Sequence, residues 1–197
     1  MFEFIGPEMV FGKKLVLANL WLFEPLVTRQ LAQSPLTNAL LRTTVAPTIF
    51  RAGIKDNVLP TQANAVINLR IMPGESTATA LGHVQKSIAD PNIKLTPLAT
   101  RIEPSTVTAI DSPRFELVAR TIRQIAPDAI VAPSLLVAAT DSRHYVNLTK
   151  NVLRFLPITL KAGDTKRYHG IDERVAIADY LRCINFYAQL IRNSDQL

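Results

Sequence analysis

Residues 62–71 alternate strictly between two faces, and this alternation constrains the fold more than any other part of the chain. One face carries alanine, isoleucine and leucine, whereas the other carries glutamine, asparagine and arginine with a single valine. A period of two residues predicts a half-buried β-strand. The β-branched run at residues 43–53, which ends at a glycine, predicts another strand just before it.

The residues that follow this strand predict a compact α+β layer. Ser76 is a plausible N-cap for a helix with apolar residues at helical spacing. Residues 93–99 predict a further short strand, whose proline suits the edge of a sheet. The order is therefore strand, strand, helix, strand, and residues 1–42 before it predict two or three helices.

The second part of the chain alternates between strands and helices, which predicts an α/β arrangement. Ser112 is expected to cap a helix, residues 129–145 are strand-like and then polar, and residues 152–160 predict a short buried strand. A long helix is expected over residues 172–191. Its predicted buried stripe consists of Ile177, Tyr180, Leu181, Ile184, Tyr187, Ala188 and Ile191.

Charge and composition exclude several classes of function. The formal net charge is +6, but the basic residues form no cluster interleaved with aromatic residues, which argues against a nucleic-acid partner. No run of about 20 apolar residues is present, so no membrane span is predicted. Because Cys183 is the single cysteine, the sequence offers neither a disulfide framework nor a cysteine-based zinc site.

The stretch KRYHGIDERV, residues 166–175, places one histidine beside two carboxylates. His169 is a candidate metal ligand, because neutral imidazole is a common zinc ligand. Asp172 and Glu173 are expected in the first turn of the following helix, where carboxylates interact favourably with the helix dipole. The alternative is a loop histidine followed by ordinary helix-start carboxylates. Zinc needs three or four protein ligands, and the remaining histidines and acids do not supply a dense cluster.

Two other polar clusters are candidate binding residues. In TDSRHY, residues 140–145, Arg143 has the planar guanidinium that binds carboxylates, although a surface ion pair is an equal alternative. Because the preceding residues are strand-like, we expect this cluster at the carboxyl end of a strand. Asn57 and Arg70 form the third cluster, which is either a binding surface or the polar outer face of a strand.

Together these clusters resemble one enzyme family. NVLPTQANAVINLRIMPG, TDSRHY and YHGIDERV are similar to the C-terminal half of the dinuclear zinc exopeptidases and aminoacylases, and above all to the branch of carboxypeptidase S and the N-fatty-acyl-amino-acid hydrolases. The resemblance implies an α/β fold, with part of a zinc-exopeptidase catalytic domain and an α+β lid, or dimerisation, domain. By this resemblance residues 1–42 are a helical insertion of the lid, residues 43–106 its incomplete β-β-α-β domain, and residues 107–197 the catalytic segment.

The resemblance also implies roles for individual residues. His169 aligns with a zinc ligand of the family, and Arg143 aligns with the arginine that binds the substrate carboxylate. Asp141 and Glu173 belong to the same motifs, where we expect them to orient Arg143 and His169 respectively. One departure lies at residues 138–139, where two alanines stand in place of the usual glycines.

The lid contributes substrate-binding residues in this family, and Asn57 and Arg70 align with two of them. The implied substrate is a small peptide or an N-acyl amino acid, and the implied partner is a second copy bound through the lid. The implied cofactor is a pair of zinc ions, but the family's H-x-D motif, paired glutamates and lid histidine have no counterpart in this sequence.

These absences leave two main hypotheses. The first is a fragment of a zinc-dependent metallopeptidase or amidohydrolase that hydrolyses an amide bond beside a free carboxylate, with most metal ligands and the general base outside this chain. The second is a non-catalytic, self-associating lid and scaffold module, and a simple carboxylate-binding protein is a third option. A chain of this kind is also expected to expose apolar surface.

Overall fold

A computed structural model describes residues 1–99, 102–161 and 163–195. Its α-helices and β-strands, in chain order, are α1 (Phe2–Ile5), α2 (Phe11–Ala18), α3 (Leu20–Leu31), α4 (Pro35–Asn38), β1 (Thr44–Ala52), β2 (Ala63–Arg70), α5 (Thr77–Ile88), α6 (Pro113–Ile125) and α7 (Ile177–Ser194). Short 3₁₀ helices occupy Gly6–Glu8, Asp141–His144 and Asp164–Arg167. The expectation of two or three helices before residue 43 therefore falls short of the four that are present there.

The chain forms two compact units, each of which is described by itself. The first unit comprises the described residues of 1–19, 108–136 and 140–197. The second unit comprises the described residues of 20–107 together with 137–139.

The second unit contains the two strands predicted from residues 43–53 and 62–71, so both strands are confirmed. The predicted inner face of the second strand is only partly covered, because Ala63 and Ala65 are exposed. Strands β1 and β2 pair antiparallel, with Thr44 opposite Arg70 and Ala52 opposite Ala63. The register shifts between Pro47 and Ile49, where a proline that has no N–H to donate interrupts the ladder. A third strand at residues 93–99 is wrong, because this segment follows an Asp90 turn as coil and the described sheet contains only β1 and β2.

Helix α5 begins at the predicted N-cap. The Ser76 hydroxyl accepts a hydrogen bond from the Thr79 amide at 3.2 Å, and the Ser76 amide donates to the Thr79 hydroxyl at 2.9 Å. This reciprocal capping box satisfies donors that a helix start otherwise leaves free. Ala80 and Val84 then bury one face of the helix, so this amphipathic prediction is confirmed.

The first unit is built around α6 and α7. Ser112 caps α6 as predicted, with its hydroxyl accepting from the Phe115 amide at 3.1 Å. The core side chain Phe186 is only 1% exposed and lies against Phe155, with ring centroids 4.9 Å apart. Buried polar groups also join the two helices, because the Asn193 amide donates to the Thr121 hydroxyl at 2.8 Å.

The strands predicted within residues 129–145 and 152–160 are wrong, since the described residues of these segments are coil apart from the 3₁₀ helix Asp141–His144. A β-strand requires a neighbouring strand for its hydrogen bonds. Side chains of α7 hydrogen-bond to residues 155–159 instead. Their contacts are Asp179 Oδ2 with the Thr159 amide at 3.3 Å, Arg182 Nη1 with the Pro157 carbonyl at 3.5 Å, and Tyr187 Oη with the Phe155 carbonyl at 3.0 Å.

Helix α7 differs from its prediction in its start and in its buried face. It begins at Ile177, so Asp172 and Glu173 lie in the preceding loop and not in a first helical turn. The residues that α7 buries are Asp179, Phe186 and Asn193. The predicted buried stripe is instead largely exposed, with Ile177 at 80% and Tyr180 at 62%. The apolar periodicity identified a helix correctly but did not identify the side that packs.

Candidate functional site

Arg143 lies in the 3₁₀ helix Asp141–His144, which follows coil and not a strand, so the predicted position at a strand end is wrong. Thr140 caps this helix, because its hydroxyl accepts from the Ser142 amide at 3.3 Å. The Arg154 side chain donates to the Ser142 hydroxyl at 2.6 Å, which ties the turn to the segment that follows it.

The guanidinium of Arg143 is exposed and donates from Nε to the His144 Nε2 atom at 3.2 Å. Within the described residues it takes part in no ion pair, so the alternative of a surface ion pair is wrong there. Asp141 begins the same turn and is exposed, but the hydrogen bond of Arg143 goes to His144 and not to Asp141. An exposed arginine without a carboxylate partner is available for an anionic ligand.

His169 lies in a tight loop after the 3₁₀ helix Asp164–Arg167. Its backbone has a φ of 59°, which is a left-handed conformation, and its amide donates to the Glu173 carboxylate at 3.2 Å. Glu173 therefore orients the His169 backbone, and this hydrogen bond does not involve the imidazole ring. Gly170 permits the close turn, because a Cβ at this position would lie 3.1 Å from the Arg167 carbonyl oxygen.

The donor set around His169 does not fit a complete zinc site. Among the described residues, no group of three or more histidine, cysteine, aspartate or glutamate side chains could hold a metal ion. Asp172, the other carboxylate of the motif besides Glu173, pairs with Arg174 at 3.2 Å and with Arg167 at 3.9 Å. Because zinc requires three or four protein ligands, His169 and Glu173 do not form such a site by themselves.

Asn57 and Arg70 belong to the second unit, whereas Arg143 and His169 belong to the first. Asn57 is exposed in the turn after β1, next to the hydrogen bond between the Val58 amide and the Lys55 carbonyl at 3.4 Å. Arg70 is exposed at the end of β2, where the polar face of this strand also carries exposed asparagines. Both side chains are therefore accessible, as a binding role requires.

Sequence reasoning missed an open apolar groove of about 580 Å³ in the first unit. Ile122 of α6, Phe186 of α7 and Ile158 of the coil segment are among its lining residues. Arg182 also lines the groove and pairs with Asp179 at 2.7 Å. The available sequence signal was the pair Asp179 and Arg182, two opposite charges three residues apart in the long helix.

Comparison with known proteins gives matches along the whole chain. Residues 17–96 match the family model of the peptidase dimerisation domain, and residues 20–96 of this match lie in the second unit. A search of the solved structures gave no significant match. In the described part of the chain, no helix has both the length and the hydrophobicity that a membrane crossing needs.

Three relatives illustrate the range of similarity. "Probable carboxypeptidase S-like 2" of Dictyostelium discoideum is 45% identical and matches 100% of this chain and 38% of its own length. "N-fatty-acyl-amino acid synthase/hydrolase PM20D1" of Xenopus tropicalis is 42% identical, over 99% of this chain and 38% of its own length. "Carboxypeptidase S" of Saccharomyces cerevisiae is 26% identical, over 80% of this chain and 33% of its own length.

The matched domain defines the class of residues 17–96, which are similar to the peptidase dimerisation domain. The relatives narrow the comparison, because the chain is similar along its whole length to proteins named carboxypeptidase S-like and N-fatty-acyl-amino acid synthase/hydrolase. The chain spans about 38% of the length of the first two of these relatives. The resemblance noted in the three sequence motifs is thereby confirmed.

Proposed function

We propose that the chain is part of a zinc-dependent amidohydrolase that cleaves an amide bond beside a free carboxylate, in a peptide or an N-acyl amino acid. The full-length similarity to carboxypeptidase S-like and N-fatty-acyl-amino acid hydrolases supports the reaction class. The observation that carries the substrate assignment is Arg143, whose exposed guanidinium forms no ion pair among the described residues.

In this proposal Arg143 binds the substrate carboxylate. Asn57 and Arg70, which belong to the dimerisation domain, are further candidate substrate-binding residues. His169 supplies one zinc ligand, with Glu173 holding its backbone in the left-handed turn. Asp141 supports the turn that carries Arg143. The other metal ligands and the general base come from polypeptide outside this chain, so none of the described residues is assigned the chemical step.

A chimera tests the proposal. This chain replaces the matching 38% of the Dictyostelium discoideum carboxypeptidase S-like 2 protein, and hydrolysis of an N-acyl amino acid is measured in the presence of zinc. We expect the chimera to be active. The Arg143→Ala variant should lower kcat/KM about 10- to 100-fold, because a charge-assisted hydrogen bond contributes about 1.5–3 kcal/mol.

The matched control is Arg174→Ala, which removes an exposed arginine that pairs with Asp172. This control should leave kcat/KM nearly unchanged. The Arg143 effect should also shrink for the methyl ester of the same substrate, which lacks the carboxylate. Equal losses for acid and ester would contradict the assigned role, and an inactive chimera that folds and binds zinc would contradict the proposed reaction.

A second candidate function is a non-catalytic module that associates with another copy of itself. The match of residues 17–96 to the peptidase dimerisation domain favours it, because this domain suggests self-association. Light scattering on the purified chain distinguishes the candidates when it is combined with the activity of the chimera. A stable dimer together with an inactive chimera would favour the module over the hydrolase.

A further inference from the structure

Arg154 contacts residues 140–145, which carry Arg143 and which we call the Arg143 turn. The Nε atom of Arg154 donates to the Ser142 hydroxyl at 2.6 Å, and this hydrogen bond is part-buried. Ser142 directly precedes Arg143 in the chain. Among the described residues, the exposed Arg143 side chain hydrogen-bonds to its own neighbour His144. The orientation of Arg143 therefore depends on whatever holds the turn itself.

The hydrogen bond from Arg154 continues within the turn. Because the Ser142 hydroxyl accepts from Arg154, its own proton can be donated to the Thr140 hydroxyl, which lies 2.5 Å away. Thr140 also accepts the Arg143 amide at its backbone carbonyl, at 3.2 Å. A charged donor at one end of such a chain strengthens the neutral hydrogen bonds beyond it. Arg154 therefore stabilises the turn as a whole and not Ser142 alone.

The segment that carries Arg154 is tied to other parts of the first unit on both sides. Before Arg154, the Val152 amide donates to the Thr108 hydroxyl at 3.0 Å, and this hydroxyl donates to the Val152 carbonyl at 3.0 Å. After Arg154, the Phe155 carbonyl accepts from Tyr187 Oη at 3.0 Å. Arg154 is thus a fixed point against which the turn is held.

The contact with Arg154 contributes rigidity more than it satisfies a missing partner. The Ser142 hydroxyl has the Thr140 hydroxyl beside it with or without Arg154. Immobilising an arginine side chain costs conformational entropy. A side chain that binds a ligand gains affinity when its supporting residues hold it in the bound orientation beforehand. The residue whose orientation this contact fixes is the adjacent Arg143.

We propose that Arg154 is a positioning residue for substrate binding, which acts through Ser142 to hold the Arg143 turn in the orientation that binds the substrate carboxylate. The inference rests on the proposed function, because it assigns that carboxylate to Arg143. The role involves no contact between Arg154 and the reacting atoms. Loss of the contact should therefore weaken substrate binding and leave the chemical step nearly unchanged.

Two variants of similar length isolate the hydrogen bond. In Arg154→Gln the side-chain amide nitrogen is separated from Cα by the same number of bonds as Nε of arginine, so it can donate to Ser142. In Arg154→Met a methyl group takes this place, and the donor is lost. Both variants lack the positive charge and the outer nitrogens of the guanidinium. The difference between them therefore reports the hydrogen bond to Ser142.

The variants are made in the chimera with the Dictyostelium discoideum carboxypeptidase S-like 2 protein, and release of decanoate from N-decanoylalanine is measured with zinc present. Arg154→Met should raise KM about tenfold, as loss of a charge-assisted hydrogen bond does, and change kcat less than about twofold. Arg154→Gln should bring KM back to within about threefold of the wild type. The methyl ester lacks the carboxylate, so its KM should be the same for all three proteins.

The other end of the hydrogen bond gives an independent check. Ser142→Ala removes the acceptor and should raise KM for N-decanoylalanine by a similar factor. Adding Arg154→Met to Ser142→Ala should have no further effect, because both substitutions break the same contact. A double variant whose KM rises by the product of the two single effects would contradict the proposal.

Hydrogen exchange in the chimera tests the contact without relying on activity. The amides of Arg143 and Tyr145 donate within the turn, to the Thr140 carbonyl at 3.2 Å and the Ser142 carbonyl at 3.0 Å. These amides should exchange about tenfold faster in Arg154→Met than in Arg154→Gln or the wild type, because the turn opens more often. Equal exchange in the two variants would overturn the proposal, whether or not the chimera is active.

Two kinetic outcomes would also overturn it. Equal KM increases in Arg154→Met and Arg154→Gln would assign the effect to the lost charge, and equal losses for the acid and the ester would reduce Arg154 to a general structural support. A selective effect of Arg143→Ala without any effect of Arg154→Met would keep the proposed function and refute this inference. An inactive chimera with faster exchange in Arg154→Met would refute the proposed function and confirm that Arg154 holds the turn.

Discussion

Single buried polar residues determine how the two long helices of the first unit meet. Asn193 is 5% exposed, and its side chain donates to Thr121 Oγ1 and to Gln124 Oε1, each at 2.8 Å, while it accepts from Gln189 at 3.0 Å. Every hydrogen-bonding atom of this amide therefore has a partner. A satisfied buried amide favours one alignment of the helices over its neighbours.

We predict that Asn193→Ala lowers the free energy of unfolding by about 1–3 kcal/mol, because Thr121 and Gln124 lose a buried partner. Urea denaturation followed by circular dichroism measures the change. The control Asn185→Ala makes the same substitution at an exposed position of α7 and should change stability by less than about 0.5 kcal/mol. Equal effects at both positions would show that the hydrogen-bond network contributes nothing.

Ala89 ends α5 in a left-handed conformation, with a φ of 52°. We predict that Ala89→Gly stabilises the second unit by about 1 kcal/mol, since a Cβ is unfavourable in this conformation. The same substitution at Ala78, inside α5 and exposed, should destabilise it by about 1 kcal/mol. Thermal unfolding of the two variants should therefore shift in opposite directions, and shifts of the same sign would contradict the argument.

The sequence predicted the roles of residues whose partners lie a few positions away. It did not predict the roles of residues whose partners are distant in sequence. Ser76 and Ser112 were identified as caps because a cap depends on residues three positions away. The partners of Asn193 lie 69 and 72 residues away in sequence, so no local pattern indicates them. For the same reason the sequence placed Glu173 near His169 but did not show that the contact involves the backbone amide.

At the level of elements, the Asp179 carboxylate is one of three α7 side chains that bond to the coil segment before the helix, together with Arg182 and Tyr187. Asp179 is 9% exposed, accepts from Arg182 at 2.7 Å and accepts from the Thr159 amide at 3.3 Å. This carboxylate gives the Thr159 amide a partner that a neighbouring strand would otherwise supply. It thereby stabilises an extended segment that forms no β-ladder.

We predict that Asp179→Ala lowers the free energy of unfolding by about 1–3 kcal/mol, because the part-buried Thr159 amide loses its acceptor and the Arg182 guanidinium loses its carboxylate partner. The control Asp172→Ala removes an exposed carboxylate that pairs with exposed Arg174, and it should cost less than about 1 kcal/mol. Urea midpoints measure both effects. A larger effect at Asp172 than at Asp179 would contradict the proposed link between helix and segment.

Strands were predicted correctly where the two segments that pair with each other lie close together in the sequence. The runs at residues 43–53 and 62–71 lie close in sequence and form β1 and β2. Residues 93–99 and 152–160 have strand-like composition, yet among the described residues they have no strand to pair with. Composition reports the propensity of a segment, whereas a strand also requires a neighbour. The stripe of α7 was misassigned because periodicity marks an apolar face without saying what covers it.

At the level of the whole molecule, few residues are fully buried and many apolar ones are not. The buried apolar side chains among the described residues are Ala80, Val84, Leu117, Ala119, Ile122 and Phe186. The expectation of exposed apolar surface is confirmed, most clearly by Trp21 at 81% and by Ile177 at 80%. The predicted domain boundaries at residues 42/43 and 106/107 remain predictions.

We predict that the purified chain retains well under one zinc ion per molecule after dialysis, because the described residues offer no three-ligand group. His169→Ala should not alter this content in the isolated chain. In the chimera, the same substitution should reduce bound zinc, since His169 would then join ligands from the other segment. Mass spectrometry measures the zinc content of the isolated chain and of the chimera. Tight stoichiometric zinc binding by the isolated chain would contradict the conclusion that its metal site is incomplete.

The exposed apolar residues of α7, among them Ile177 and Ile191, also have a consequence for the abundance of this chain in a cell. Chaperones and proteases act on polypeptides that display apolar segments, and they continuously remove chains that stay in such a state. A copy whose α7 is uncovered would therefore be degraded faster than a copy whose α7 is enclosed. The steady-state amount of this chain would then depend on the fraction of copies in which this helix is enclosed.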